Sequence, residues 1–116
     1  MVRKTAAIIG GGVIGSGWLA RFLLNGWNVN LFDPDPQAER KIAAVLVNAR
    51  HALPMLYERD LPKEGELTIC KTIEQAVSAA DWIQESVPER LEIKHNVIAD
   101  IQKYCLQNAI IGSSTS

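Results

Sequence analysis

Five of the chain's eight glycines lie within eight consecutive residues, at positions 10, 11, 12, 15 and 17. They follow a short apolar run at residues 4–9, Lys-Thr-Ala-Ala-Ile-Ile, which is typical of a buried parallel strand. Beyond the glycines, apolar residues recur at helical spacing until Asn25-Gly26, where glycine favours a helix stop. The cluster therefore predicts a strand that passes through a tight turn directly into a helix, a unit that opens α/β folds.

The rest of the chain also alternates strands with helices. Further strands are predicted at 29–32, 67–70, 81–87 and 109–112, with a helix between each strand and the next. Helix starts are predicted at Asp35-Pro36, at Thr72 with Gln75 as a capping box, and at Pro88. Because right-handed crossovers place helices on both faces of a parallel sheet, the pattern predicts an α/β fold with a Rossmann-type doubly wound parallel sheet. One such domain would span residues 1–116.

Composition and charge exclude several classes of protein. Twelve basic residues against thirteen acidic ones give a formal charge of −1, so we expect no nucleic-acid partner. No stretch approaches the roughly 20 apolar residues that cross a bilayer, and we expect no membrane association. The first residues lack a signal-peptide pattern, which favours a cytoplasmic protein. Cys70 and Cys105 fit no metal-ligand spacing, so we expect no metal and regard both as small buried apolar residues.

The glycine segment matches the G-x-G-x-x-G pattern of dinucleotide-binding turns, in the strand–turn–helix context that this pattern requires. Gly10 permits the tight turn, Gly12 lets a pyrophosphate approach the backbone, and Gly15 lets the helix pack closely on the strand. The amino terminus of the helix then offers unpaired N–H groups to the phosphates. The simpler interpretation is a glycine-rich turn that only connects a strand to a helix.

An acidic residue strengthens the dinucleotide interpretation. Asp33 follows Gly15 by eighteen residues and ends the second predicted strand, where a carboxylate accepts hydrogen bonds from the adenosine ribose. The same charge would repel a 2′-phosphate, and Asp35 adds a second negative charge. No arginine lies between Asp33 and Arg40, so the sequence favours NAD over NADP. Asp33 could also simply form the turn before Pro34.

The carboxyl ends of the fourth and fifth strands are the expected neighbours of the nicotinamide half of the cofactor, because ligands of open parallel sheets bind there. Residues 85–89 and 112–116 occupy these ends. Each polar residue also has a structural explanation: Glu89 could stabilise a helix amino terminus, Lys94 could be a solvated helix lysine, and the serines could cap a helix. His51 and His95 are assigned to exposed helix faces.

Four segments together resemble the 3-hydroxyacyl-CoA dehydrogenase superfamily over essentially the whole chain. The glycine segment, 9–18, is shared by many dinucleotide enzymes. The more specific segments are Gln-Glu-Ser-Val-Pro-Glu at 84–89 and Ser-Ser-Thr-Ser at 113–116, and Asp-Pro-Asp-Pro at 33–36 completes the set. The resemblance implies a two-domain, homodimeric NAD oxidoreductase that acts on the secondary 3-hydroxyl of a small molecule.

The resemblance also implies roles for individual residues. The pyrophosphate would be bound by Gly10, Gly11, Gly12, Val13, Ile14 and Gly15, the adenosine ribose by Asp33, and the nicotinamide side by Glu89 and Lys94. Ser116 matches a catalytic serine that approaches the nicotinamide and the substrate hydroxyl. The family's general base, a histidine oriented by a glutamate, would follow Ser116 and lie outside these 116 residues, as would the helical domain that completes the substrate pocket. We therefore expect the 116-residue chain to bind NADH without turnover.

The serine segment at 113–116 also bears on the substrate. Ser114 stands where acyl-CoA members of the family usually have asparagine, which agrees with the branches that oxidise carnitine and gulonate. The reaction that the resemblance implies is oxidation of L-carnitine to 3-dehydrocarnitine. L-Gulonate and a 3-hydroxyacyl-CoA remain alternative substrates, and a non-catalytic, crystallin-like or NAD-sensing protein remains an alternative class.

Overall fold

A computed structural model describes residues 4–10, 12–52, 63–86 and 91–113, in which strands and helices alternate. The strands are β1 (Thr5–Ile9), β2 (Asn28–Phe32), β3 (Leu67–Ile69), β4 (Trp82–Glu85) and β5 (Ile110–Ser113). The helices are α1 (Gly12–Leu24), α2 (Ala38–Ala52), α3 (Ile73–Val77) and α4 (Leu91–Tyr104).

The five strands form one parallel sheet in the order β3-β2-β1-β4-β5. The chain therefore builds the sheet outward from β1 in one direction, then returns to the other side of β1 and builds outward again. This confirms the predicted Rossmann-type doubly wound sheet. The reversal creates a crevice at the carboxyl ends of β1 and β4, the position at which such sheets bind ligands.

Two apolar cores lie on opposite faces of the sheet. Successive strand residues point to opposite faces, so Ile8 packs with α1 and α2 while Ile9 packs with α3 and α4. The α1–α2 core contains Leu19, Leu31, Ile42 and Leu46, and the α3–α4 core contains Val77, Ile83 and Ile101. Because β1 contributes to both cores and has strand neighbours on both sides, its position in the fold is firmly fixed.

Several element ends agree with the local signals in the sequence. Gly26 has a φ of 90°, in the left-handed region that favours glycine, and it follows the end of α1 as predicted. The Thr72 hydroxyl accepts from the Gln75 backbone N–H at 3.1 Å, which confirms the cap of α3. The Gln75 side chain, however, accepts from the Lys71 N–H and not from that of the cap residue.

Other boundaries differ from the prediction by a few residues. Helix α2 begins at Ala38 and not at Pro36, because the Ala38 N–H bonds to the Asp35 carbonyl in a tighter turn before regular helical bonding begins. Helix α3 ends at Val77 although it was predicted to reach residue 80, and the Ala80 N–H turns back to the Val77 carbonyl. Strand β5 lies one residue later than predicted, and β4 is shorter. The predicted helix start at Pro88 lies outside the described residues.

The two cysteines differ in their surroundings. Cys70 is buried in the α3–α4 core, and its burial raises the pKa of the thiol. Cys105 is only half-buried, so the expectation that both are buried apolar residues is confirmed for Cys70 alone. Both are free thiols.

Candidate functional site

The end of β1 lies in the crevice, with β2 on one side and β4 on the other. The Ile9 carbonyl accepts from the Ser86 N–H at 2.8 Å, on the β4 side. One residue later, the Gly10 N–H donates to the Phe32 carbonyl at 2.8 Å, on the β2 side. The backbone at the start of the glycine turn is thus held from both directions at the carboxyl edge of the sheet.

Gly10 and Gly15 have the geometry that their places in the motif predict. Gly10 has a φ of 91°, which residues with a side chain rarely adopt. A Cβ atom added at Gly15 would lie 2.1 Å from the Gly10 carbonyl oxygen, far inside any normal contact. Glycine at position 15 therefore lets the start of α1 approach the end of β1, as the close-packing role requires.

The remaining members of the predicted pyrophosphate site are described only in part. Gly12, Val13 and Ile14 form the start of α1, where backbone N–H groups lack helical partners. Gly11 lies outside the described residues. The turn and the helix terminus fit an anionic pyrophosphate, because the first N–H groups of a helix lack helical partners and the helix dipole is positive at this end. The cofactor contacts themselves stay predictions.

Asp33 directly follows β2 at the same edge of the sheet and is half-buried. Its Oδ1 accepts from the Asp35 N–H at 2.9 Å, so the carboxylate shapes the turn that follows. This contact confirms the turn-forming role without excluding a ribose, since a carboxylate can accept about four hydrogen bonds. Asp33 thus has the position and the chemistry of a ribose ligand, and that role stays a prediction.

Asp35 and Lys41 bear on the choice between NAD and NADP. The Asp35 carboxylate accepts from the Gln37 N–H at 2.8 Å and pairs with the Lys41 ammonium at 2.9 Å. The hydrogen bond from Gln37, followed by the contact with Lys41, lowers the pKa of Asp35. Lys41 is thereby paired with a carboxylate, which makes it a poorer partner for a 2′-phosphate. The local charges agree with the predicted preference for NAD.

A buried carboxylate lies at the end of β4, where the sequence predicted cofactor neighbours but gave this residue no role of its own. Glu85 is fully buried, and its Oε1 accepts from the Ser113 hydroxyl of β5 at 2.8 Å. The preceding Gln84 is also buried, and its Oε1 accepts from the Trp82 indole N–H at 3.2 Å. Two consecutive polar residues in an otherwise apolar strand were the signal for this arrangement.

The other predicted site residues are not brought together by the described part of the chain. Glu89, Ser114 and Ser116 lie outside it. Lys94 is placed by its backbone in the first turns of α4. His51 and His95 are exposed on α2 and α4, which confirms their assignment to helix faces.

Residues 4–10, 12–52, 63–86 and 91–113 also bear on other kinds of site. No group of three or more His, Cys, Asp or Glu side chains among them could hold a metal ion. No helix among them is long and apolar enough to span a membrane.

The fold and the glycine turn define a dinucleotide-binding domain of the kind found in NAD-dependent dehydrogenases. The particular family follows from comparison with known proteins. A family model described as "3-hydroxyacyl-CoA dehydrogenase, NAD binding domain" matches residues 5–116. The chain belongs to this family, and its cofactor is NAD.

Two curated relatives are similar to this chain along nearly its whole length. An L-carnitine dehydrogenase/betainyl-CoA thioesterase of Ruegeria pomeroyi is 62% identical over 112 residues, which cover 97% of this chain and 23% of that protein. An L-carnitine dehydrogenase of Mesorhizobium japonicum is 60% identical over 111 residues, which cover 96% of this chain and 30% of that protein. The chain thus spans less than a third of the length of these relatives.

Solved structures show the same architecture. The crystal structure of 5-formyl-3-hydroxy-2-methylpyridine 4-carboxylic acid 5-dehydrogenase, an NAD+-dependent dismutase, superposes with a TM-score of 0.83 at 34% identity. The match covers 99% of this chain and 38% of that one. A 3-hydroxybutyryl-CoA dehydrogenase of Escherichia coli superposes with a TM-score of 0.75 at 24% identity and supports the fold alone. This second match covers all of this chain and 25% of the Escherichia coli chain.

Proposed function

We propose that the protein carrying this chain oxidises the 3-hydroxyl of L-carnitine to 3-dehydrocarnitine, with NAD bound by residues 1–116. The observation that carries the substrate assignment is the 62% and 60% identity to relatives named L-carnitine dehydrogenase. The cofactor assignment rests on the glycine turn and Asp33, which lie at the carboxyl edge of one doubly wound sheet.

Different residues of the chain would bind different parts of the cofactor. The backbone from Gly10 to Gly15 would bind the pyrophosphate, and Asp33 would accept from the adenosine ribose hydroxyls. Glu89 and Lys94 would meet the nicotinamide side, and Ser116 would approach the substrate hydroxyl. Bound NAD supplies the hydride acceptor, while the protein supplies placement and electrostatics.

Oxidation of an alcohol also requires removal of the hydroxyl proton, so a general base is needed. We place this base after Ser116 in the protein, as a histidine oriented by a glutamate. The chain's two histidines support this placement of the base, because both are exposed on helices and neither lies in the crevice. We also propose that the protein is a cytoplasmic homodimer, and the two free thiols agree with a reducing compartment.

A substrate panel tests the proposal. The protein that carries this chain is purified, and NADH formation is followed with L-carnitine and with L-gulonate. The reverse reaction is followed with acetoacetyl-CoA. We expect turnover with L-carnitine to exceed that with the other two. Turnover of acetoacetyl-CoA alone would assign the protein to the acyl-CoA branch. NADH binding without turnover of any of the three would favour a non-catalytic protein.

A further inference from the structure

A hydroxyl group that has no partner in the described part of the chain lies beside the glycine turn. Ser86 is the residue that immediately follows β4, and its N–H is bonded to the Ile9 carbonyl. Its side-chain Oγ is shielded from solvent and has no hydrogen-bond partner among the described residues. The other buried polar side chains of the described residues, Ser16, Gln84 and Glu85, all have partners. Ser86 is therefore the exception that needs an explanation.

The position of Ser86 indicates what its hydroxyl could meet. Side chains alternate along β4, so Ser86 faces α1 while Glu85 faces the α3–α4 core. The Cβ of Ser86 lies 3.5 Å from the point that a Cβ at Gly15 would occupy. Ser86 thus lies at the end of β4 and faces the start of α1. A dinucleotide that extended from the glycine turn toward the fourth strand would pass this position.

A buried hydroxyl with no partner lowers stability, because it loses its hydrogen bonds to water and gains none in return. Alanine at position 86 would fit the same space without that penalty. The residue as a whole is only half-buried, so rotation about its Cα–Cβ bond can carry the oxygen toward the open crevice. The arrangement suits a group whose partner arrives with the ligand.

We propose that Ser86 is a cofactor-binding residue whose hydroxyl donates a hydrogen bond to an oxygen on the nicotinamide side of NAD, either of the pyrophosphate or of the adjoining ribose. This inference rests on the proposed function, because it requires NAD in the crevice. It adds a side-chain ligand, from the residue that follows β4, to a site otherwise formed by the glycine turn and Asp33.

The substitution Ser86→Ala tests the proposal through two opposite readouts. The affinity for NADH, measured by fluorescence titration, should fall roughly three- to tenfold, as expected for one lost hydrogen bond. The melting temperature of the cofactor-free protein should stay the same or rise. An unchanged NADH affinity would overturn the proposal, and so would a lower melting temperature without cofactor, which would show that the hydroxyl is already bonded within the protein.

Truncated ligands then locate the contact along the cofactor. Ser86→Ala should weaken binding of ADP-ribose as it weakens NADH, and it should leave AMP binding unchanged, since AMP lacks the nicotinamide half. Equal losses for AMP and NADH would contradict the nicotinamide-side assignment.

Ser78→Ala is the matched control, because Ser78 is exposed at the end of α3, away from the crevice, and should change none of these values. If the unaltered protein failed to bind NADH, the proposed function itself would fail. Failure of Ser86→Ala alone would leave that function intact.

Discussion

The substitution Gly15→Ala measures how strictly the glycine turn depends on close contact between α1 and β1. The added methyl group would lie 2.1 Å from the Gly10 carbonyl oxygen and 3.1 Å from its carbonyl carbon. Both atoms belong to the backbone, so no side chain can rotate away. The start of α1 would have to withdraw from β1 by roughly 1 Å, and overpacking of this kind typically costs about 1–3 kcal/mol.

The chain provides a matched control for this substitution in the same helix. Gly17 is exposed, and a Cβ added there meets no atom within 4 Å. Alanine favours a helix over glycine by about 1 kcal/mol at either position, so this gain cancels when the two variants are compared. The difference between their free energies of unfolding should therefore equal the overpacking cost of about 1–3 kcal/mol.

Urea unfolding of both variants gives that difference, and NADH titration gives its consequence for the cofactor. We expect Gly15→Ala to be the less stable variant and to bind NADH at least about tenfold more weakly, which corresponds to 1.4 kcal/mol. We expect Gly17→Ala to match the unaltered protein in affinity. Equal free energies of unfolding for the two variants would refute the packing argument. A less stable Gly15→Ala variant with unchanged NADH affinity would refute the cofactor site at this turn.

Two further predictions concern a charge at the site and the thiols. Asp33→Ser should narrow the preference for NADH over NADPH, because it removes the carboxylate that would accept from the ribose and repel a 2′-phosphate. The dissociation constants of NADH and NADPH measure this preference. An unaltered ratio of the two constants would count against Asp33 as the ribose ligand. Iodoacetamide should modify Cys105 well before Cys70, since Cys70 is buried and the pKa of its thiol is raised. Peptide mapping by mass spectrometry gives the order of modification. Modification of Cys70 first would contradict the described packing.

The sequence predicted the sheet well because its signals are local. Short segments rich in apolar residues mark the strands, and glycine at positions 10 and 26 marks turns that require a positive φ. The start of α2 was two residues off for an equally local reason. Whether the Asp35 carbonyl bonds three or four residues ahead depends on small differences in backbone angle, which residue types do not fix.

The roles of Glu85 and Ser86 could not be predicted in the same way. Glu85 is paired with Ser113, which is 28 residues away along the chain and becomes a neighbour only when β5 joins the sheet beside β4. The segment 85–89 was expected near the cofactor from topology alone. Glu85 is buried and the Ser86 Oγ has no partner among the described residues because of how α1, β4 and β5 pack together.

Burial of polar groups at this edge of the sheet connects the fold to the proposed function. A fully buried carboxylate costs free energy unless it is hydrogen-bonded, and Ser113 supplies one such bond to Glu85. That bond also joins the ends of β4 and β5, from which the chain continues toward Glu89 on one strand and Ser116 on the other. Loss of the Ser113 hydroxyl would remove this bond and would loosen both strand ends together. The apolar cores fix where β1 and β4 lie, and polar contacts at their carboxyl ends join each of them to its neighbouring strands.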